Sequence, residues 1–274
     1  MTLEVLLSCM YQTDLSIVHC SEIVSDTLII NQCDENKTME SCLGDYHIRM
    51  ISTTERGLSR SRNMALTHAR GDICLLCDDD ERFLPSYEEL ILQAFRELPD
   101  AGVIAFGISN QPCRLPERIH RLSRFDLLKL KSWQIAFRRN DILSHSLYFD
   151  VLMGAGSGNG AQEENKFLFD CYKAGVKIYY VPTPIASVSQ VQSTWFSGFS
   201  ETFFYQRGIA TRYFMGLPLS ALYAAYYLMA KHPQYKKEIS LSAAAKALIR
   251  GLWSNEIAHQ KKEADQSDPG VTAP

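Results

Sequence analysis

The sequence lacks a long hydrophobic run, an excess of one charge and regularly paired cysteines. Its 31 acidic and 28 basic side chains leave a net charge of −3, so the chain as a whole does not attract nucleic acid, and no such partner is expected. The first residues include no basic stretch and reach Asp14 early, so we expect no signal peptide and a cytoplasmic protein. With 46% hydrophobic residues over 274 positions, one or two folded domains are expected.

The eight cysteines do not predict disulfides, because a chain of this length without an export signal rarely needs them. Cys74 and Cys77 form a C-x-x-C inside an apolar run that is typical of a buried strand. Residues three apart on a strand point to opposite faces of the sheet. We therefore interpret both cysteines as small core residues rather than as a redox pair or a zinc site.

Apolar runs of strand length alternate with helical patterns through the first 110 residues, which favours a parallel α/β sheet. Polar clusters follow these strands, at the sheet edge where ligands collect. After residue 110 the sequence continues with a basic segment, and then with two more predicted strands and one more predicted helix. The predicted strands are 3–10, 27–33, 46–53, 72–77, 102–108, 132–137 and 176–181, and the predicted helices are 15–25, 57–69, 85–98 and 162–174.

Three segments fall outside this alternation. Residues 114–131 are basic, and this pattern fits a solvated helix face or a partly mobile segment over an anionic ligand. In and just after the glycine-rich segment 154–160, Gly156, Gly158 and Ala161 match G-x-G-x-x-[GA], but a dinucleotide fingerprint should open the first βαβ unit. We therefore interpret it as a flexible loop beside a site. After about residue 196 the pattern is helical and aromatic to Trp253.

The strongest local signal is the run Asp78, Asp79, Asp80 and Glu81 at the end of a buried strand. Adjacent carboxylates repel one another unless a cation or hydrogen-bond donors compensate. On an extended segment Asp78 and Asp80 face the same way, and such a pair can hold a hard divalent ion that screens a diphosphate. The alternative is a solvated acidic turn that caps the next helix.

Two further segments combine a helix start with charge. From Gly57 onward, Arg60 and Arg62 occupy the first turns of a predicted helix, where acidic residues are usual. Free backbone N–H groups and fixed positive charge there predict an anionic partner. Glu163 and Glu164 open a later helix, where they serve as a cap or supply a carboxylate base to an acceptor hydroxyl.

Three motifs in one order resemble the family 2 glycosyltransferases over residues 3–195. They are G-L-S-x-S-R-N-x-A-L, then G-D-I-x-L-L-x-D-D-D, then E-E-x-x-F-L-x-D-x-x-x-A-G-x-K-I-Y-Y-V-P. The resemblance implies an α/β GT-A fold, Rossmann-like, with a mixed, mostly parallel sheet flanked by helices. The expected domains are a nucleotide-sugar-binding half at 1–110, an acceptor-binding half at 111–195, a C-terminal helical extension at 196–258 and a polar tail at 259–274.

The resemblance also implies an activity. The enzyme transfers a sugar from a nucleotide-diphosphate donor to a hydroxyl group, with inversion at the anomeric carbon and with the help of a metal ion. The expected donor is a UDP-sugar, and the expected acceptor is a saccharide or a lipid-linked saccharide. The expected setting is cell-surface polysaccharide or glycoconjugate synthesis, with Mn²⁺ or Mg²⁺ as cofactor.

Carried over by position, the resemblance assigns the metal to Asp80 and Asp78 and the base to Glu164, with Glu163 beside it. It assigns binding of the donor to Asp34, Arg60, Arg62, Asn63, Asp78 and Asp79. This sequence departs from the family at three points. The usual base is Asp, the second strand ends in Asn-Gln-Cys-Asp rather than Asp-x-Ser-x-Asp, and 185–190 contains no metal-binding His.

Other classes fit less well. A phosphatase of the haloacid dehalogenase type needs Thr or Val where Arg82 stands, and a nucleotidyltransferase needs a Gly-rich loop after the first strand. The alternative from another class is a catalytically weak sugar-nucleotide-binding protein, an assembly partner in glycan synthesis. The apolar run 218–230 is shorter than the roughly 20 residues that a membrane span requires. For the aromatic segment 196–230, packing on the core is favoured over peripheral docking at the inner face of a membrane. A homo-oligomer is a further expectation.

Overall fold

The computed structural model describes residues 1–112, 114–157, 159, 162–189, 198–254, 256–257 and 260. Gly158 and Ala161 of the glycine pattern, and the polar tail 259–274 except for residue 260, lie outside the described residues. The chain divides into two compact units. The first is Met1–Phe149 with Glu163–Val191, and the second is Asp150–Gln162 with Gln192–Pro274.

The first unit contains a ten-stranded mixed sheet. Its strands are β1 (Leu3–Met10), β2 (Asp26–Gln32), β3 (Lys37–Leu43), β4 (Tyr46–Thr53), β5 (Ile73–Asp78), β6 (Glu81–Phe83), β7 (Val103–Ile108), β8 (His120–Arg121), β9 (Ile135–Arg138) and β10 (Ile178–Val188). The order is β3-β4-β2-β1-β5-β9-β7-β10-β6, and β8 pairs with β10. Parallel pairs join β4, β2, β1 and β5, as well as β7 and β10, while β3, β6 and β9 run antiparallel to their neighbours.

Helices connect these strands. They are α1 (Ser16–Cys20), α2 (Leu58–His68), α3 (Tyr87–Glu97), α4 (Arg139–Ser144) and α5 (Glu163–Lys173), with 3₁₀ turns at Leu127–Lys129 and Ser132–Gln134. The central strands β1, β2, β5 and β7 are buried along nearly their whole length. Continuous burial is typical of parallel strands with both sheet faces covered.

The five strands predicted in the first 110 residues are all present, within one residue at each end. The predicted helices 57–69, 85–98 and 162–174 are also present, within two residues. Cys74 and Cys77 are buried free thiols on β5, and burial raises the pKa of both. Their interpretation as core residues is confirmed.

Several predicted elements differ from the structure. The predicted helix at 15–25 is only the five-residue α1, and a 3₁₀ turn occupies the first half of the predicted strand 132–137. Pro182 and Pro184 do not end β10. The strand continues past both prolines through register shifts against β7, because proline is tolerated where the ladder of hydrogen bonds is interrupted.

The basic segment 114–131 forms no helix face among its described residues. It contains the two-residue strand β8 and the short 3₁₀ turn Leu127–Lys129. The strand β3 was not predicted either. It is largely exposed and pairs with β4 at the end of the sheet, so it lacks the one-sided apolar alternation that would identify it.

After residue 200, the described part of the second unit is mainly helical. It contains α6 (Glu201–Met215), α7 (Leu217–Ala230), α8 (His232–Tyr235) and α9 (Leu241–Trp253). Phe204, Tyr227 and Tyr235 form its core together with apolar residues of α9. Helices α6 and α9 approach closely at Gly208 and Gly251, where any side chain would collide with the backbone of the other helix.

Candidate functional site

A buried arginine joins the two acidic clusters of the first unit. Arg62 lies on α2 and only 2% of it is exposed. One guanidinium nitrogen donates to Asp78 Oδ1 at 2.9 Å, and the other donates to Glu163 Oε1 at 2.9 Å. Phe149 lies under the same guanidinium, 5.5 Å from ring centre to Arg62 Cζ. The end of β5 and the start of α5 are therefore connected through one cation.

The positive charge of Arg62 is stabilised by its acidic neighbours. Burial alone would lower its pKa, but Asp78, Glu163 and Glu164 raise the pKa above its ordinary value. Asp78 receives a second hydrogen bond, from the Ser132 hydroxyl to Oδ2 at 2.8 Å. Both carboxylate oxygens of Asp78 thus accept hydrogen bonds from protein donors.

Glu163 and Glu164 open α5 and are 5% and 8% exposed. Burial, reinforced by the neighbouring Glu164, raises the pKa of Glu163 to about 7, although Arg62 opposes this. Within the described part of the chain, Glu163 Oε2 is buried without a hydrogen-bond partner. Asn165, which follows Glu164, fixes the first turn of α5 because its side-chain amide donates a hydrogen bond to the Leu127 carbonyl at 2.9 Å.

The rest of the acidic run after β5 is electrostatically frustrated. Burial, and then the charge of Asp78, raises the pKa of Asp79 and of Asp80. Glu81 is 1% exposed, and burial with Asp78 nearby raises its pKa well above the ordinary value. Neither Glu81 carboxyl oxygen finds a hydrogen-bond partner among the described residues. Excess negative charge is therefore concentrated at the carboxyl end of β5.

This donor set suits a hard divalent cation. Asp79 is exposed and Asp80 is partly exposed, and carboxylates are ligands that Mg²⁺ and Mn²⁺ prefer. In the described ranges, no three His, Cys, Asp or Glu side chains are arranged to enclose a metal ion. The residues present thus fit an ion that takes its other ligands from a bound diphosphate and water.

The other residues expected to bind the donor occupy different environments. Arg60 is exposed on α2. The Asn63 side chain holds both backbone groups of Phe149, donating to its carbonyl at 2.8 Å and accepting from its N–H at 2.7 Å. Asn63 is therefore engaged with the backbone, and Arg62 with two carboxylates. Their expected place near a donor stays a prediction.

Asp34 belongs to a second group of side chains, at the carboxyl ends of β1 and β2. Its carboxylate accepts from Arg56 at 2.6 Å, and the Arg56 guanidinium lies 5.7 Å from the centre of the Tyr11 ring. Tyr11 is 59% exposed and has a positive φ of 55°. The structure brings these three residues together just beyond the strand ends, where parallel α/β sheets bind ligands.

Sequence reasoning missed four participants in these networks: Tyr11, Arg56, Ser132 and Phe149. Arg56 adjoins the motif that begins at Gly57, so its charge was the available signal. The sequence contains no signal that would identify Ser132 or Phe149, because only the folded chain brings Ser132 to Asp78 and Phe149 to Arg62.

Comparison with known protein families gives a match over about half of the chain. Residues 27–158 match the model of the family described as Glycosyl transferase family 2. An uncharacterized glycosyltransferase of Haemophilus influenzae is 26% identical over 80 residues, which cover 29% of this chain. The match spans 27% of that relative's length.

Similar solved structures cover nearly the whole chain. One is the TarS 1–349 fragment of S. aureus in complex with UDP-GlcNAc, at 13% identity and a TM-score of 0.54, covering 97% of this chain and 78% of that one. Another is the mannosyltransferase PcManGT of Pyrobaculum calidifontis in complex with GDP-Man and Mn²⁺, at 13% identity and a TM-score of 0.54, covering 97% and 80%. At this identity the likeness is one of fold, and it confirms the GT-A fold expected from the sequence.

Proposed function

Because residues 27–158 belong to glycosyl transferase family 2, we propose that this chain is a metal-dependent, inverting glycosyltransferase. It moves a sugar from a nucleotide-diphosphate donor to a hydroxyl of a saccharide or lipid-linked saccharide, in the synthesis of a cell-surface polysaccharide or glycoconjugate. The observation that carries this proposal is the double ion pair of Arg62 with Asp78 and Glu163. It holds a donor-side acidic cluster and a carboxylate pair suited to base catalysis in one fixed arrangement.

The nucleoside is assigned to Tyr11, Asp34 and Arg56. The ring of Tyr11 offers a stacking surface, and Asp34 can accept a hydrogen bond from a base or ribose. In the strand order β2-β1-β5, Tyr11 follows β1 and Asp34 follows β2, so this group lies one to two strand spacings, about 5–10 Å, from the end of β5. A nucleotide along this edge would have its diphosphate near Asp79 and Asp80, and a UDP-sugar is the donor we favour.

Asp80, with Asp79 beside it, is assigned to Mn²⁺ or Mg²⁺. When bound, the ion would supply positive charge to the leaving diphosphate. Asp78 orients the cluster, since both its oxygens already accept hydrogen bonds from Arg62 and Ser132. Arg62 is a fixed, buried positive charge between the clusters, and its assigned role is to position Asp78 and Glu163.

Glu164 is assigned as the general base. It takes the proton of the acceptor hydroxyl while the hydroxyl oxygen bonds to the anomeric carbon, and the bond from that carbon to the diphosphate oxygen breaks on the opposite face. Its neighbour Glu163 is held by Arg62 at 2.9 Å, and Asn165 anchors the same helical turn. These contacts hold the start of α5 in place, as a base must be within hydrogen-bond reach of the proton.

Release of nucleoside diphosphate tests this proposal. The full chain is incubated with Mn²⁺ and either UDP-GlcNAc or GDP-mannose, the sugars named for its structural relatives, and released UDP or GDP is measured. We expect turnover that EDTA abolishes and that Asp80→Ala removes. If a donor binds but no nucleoside diphosphate is released with any acceptor supplied, the chain is instead a sugar-nucleotide-binding partner of a glycan-synthesis complex.

A further inference from the structure

The second unit carries an exposed apolar helix face that the proposed function does not use. Helix α7 contains no charged residue, and its exposed side chains recur at helical spacing. Leu222, Tyr226 and Met229 are 67%, 54% and 71% exposed. An apolar stripe of this kind on a folded protein marks an interaction surface. This α7 face consists of Pro218, Ala221, Leu222, Ala225, Tyr226 and Met229.

Between Glu201 and Glu238, the charged residues that surround the α7 face in the sequence are all basic. Segment 202–237 contains no Asp or Glu. Lys236 and Lys237, which follow α8, are exposed. The chain's net charge of −3 therefore conceals a segment that is both apolar and basic. Its basic residues are Arg207, Arg212, Lys231, Lys236 and Lys237.

We propose that the α7 face docks on the surface of an anionic lipid bilayer. Among the described residues, no helix is long and apolar enough to cross a membrane. Helix α7, with 14 residues, is about 21 Å long, against about 30 Å for the hydrocarbon core. It therefore lies in the interface, with its apolar side in the boundary between headgroups and acyl chains. Tyr226 suits that depth, and the exposed side chains of Lys236 and Lys237 attract lipid phosphates.

A second copy of the chain fits the same face less well. In a two-fold dimer both subunits use the same surface, so the basic residues that flank α7 would approach those of the other copy. Segment 202–237 has no carboxylate to offset that repulsion, and like charges at an interface are costly. An anionic bilayer supplies the missing negative charge. The proposal rests on the second unit alone and holds whether or not the chain transfers a sugar.

Vesicle flotation of the full chain tests the docking. Vesicles of phosphatidylcholine alone are compared with vesicles that also contain phosphatidylglycerol. We expect binding to the anionic vesicles only, weakened by added salt. The double variant Leu222→Glu with Met229→Glu should lose more than about tenfold in affinity. Ile119→Glu is the matched control, because Ile119 is 51% exposed on the first unit, and it should bind as the wild type does.

A second variant separates charge from apolar contact and does not touch the helix core. Lys236→Glu with Lys237→Glu should weaken binding to anionic vesicles about tenfold, and circular dichroism checks that both variants fold. The proposal is wrong if the wild type fails to bind anionic vesicles, or if both double variants bind as well as the wild type. It is also wrong if light scattering shows a dimer that the Leu222 and Met229 substitutions dissociate, since the occupant is then a second copy.

Discussion

Arg62 and Glu163 are 101 positions apart in the sequence and are joined by a 2.9 Å ion pair in the interior of the first unit. The same guanidinium donates to Asp78 at 2.9 Å. A buried arginine is tolerated only when its charge is compensated and its N–H groups are hydrogen-bonded. The three elements α2, β5 and α5 therefore depend on one another at this point, which is also the centre of the proposed site.

Replacing the buried cation tests this dependence. Arg62→Met retains much of the side-chain volume but leaves Asp78 and Glu163 without their partner. We expect the free energy of unfolding to fall by about 3–5 kcal/mol, measured by urea denaturation. Arg60→Met is the control on the same helix, where the arginine is exposed, and it should change stability by no more than about 0.5 kcal/mol.

A double variant checks whether the loss comes from the ion pair. Adding Glu163→Gln to Arg62→Met removes one of the two carboxylates left unpaired, so the combined loss should be smaller than the sum of the single losses. Equal losses from Arg62→Met and Arg60→Met would contradict the account of Arg62.

Glu163 gives folding stability a pH dependence of defined sign. Its pKa rises from an ordinary 4.5 to about 7 on folding, because the carboxyl is buried beside Glu164. Between these values the folded protein retains a proton that the unfolded chain has released, so the free energy of unfolding falls as pH rises. Below pH 4.5 this contribution is fully present, and above about pH 7 it is lost.

The measurement compares wild type with Glu163→Gln by urea denaturation across that range. Asp79, Asp80 and Glu81 titrate in the same direction, so the difference between the two proteins isolates Glu163. We expect the decline in stability with pH to be shallower in Glu163→Gln. Glu89→Gln, at an exposed position of α3, should follow the wild type. Parallel curves for wild type and Glu163→Gln would show that Glu163 titrates alike in both states.

Asp80→Asn is expected to separate stability from metal binding. Burial and the charges of Asp78 and Asp79 raise the pKa of Asp80, so a neutral side chain should stabilise the metal-free protein. The same change should weaken Mn²⁺ binding in the presence of UDP by about tenfold or more, measured by calorimetry. Asp45→Asn, at an exposed turn, should do neither. Unchanged Mn²⁺ affinity in Asp80→Asn would remove this residue from the metal site.

The assignment of the nucleoside predicts a role for Tyr11. Loss of a stacking ring costs about 1–3 kcal/mol per base, so Tyr11→Ala should weaken binding of the preferred nucleotide by about tenfold or more. Thermal shifts with UDP, GDP and CDP identify that nucleotide in the wild type, and UDP is expected. Tyr172→Ala, at an exposed tyrosine of α5, is the control. If Tyr11→Ala binds all three nucleotides as the wild type does, the nucleoside lies elsewhere.

Elements with a strong apolar pattern could be predicted from the sequence. Strands β1 and β4 begin and end as expected, because burial imposes a continuous or one-sided apolar run. The exposed strand β3 and the continuation of β10 past Pro182 and Pro184 were missed. Strand β10 continues through pairing with β7, which is distant in the sequence and leaves no local pattern. Strand β3 pairs with β4, which follows it after two residues, but its side chains are largely exposed and show no apolar pattern.

The candidate site shows the same division. The acidic run at 78–81 and the pair at 163–164 could be identified as motifs. Their connection could not, because the position of Arg62 in a motif gives no information on its depth or its partners. The sequence pattern suggested a cationic side chain for a diphosphate, whereas the folded chain pairs it with Asp78 and Glu163. Contacts between distant elements determine which of the charged residues remain accessible to a ligand.

The most direct test compares the wild type with Glu164→Gln in Mn²⁺-dependent release of nucleoside diphosphate, with donor affinity measured alongside by calorimetry. If Glu164 is the base, turnover should fall by about 10²–10⁴-fold while the donor binds with unchanged affinity. Equal turnover by the wild type and Glu164→Gln, at equal donor affinity, would contradict the account.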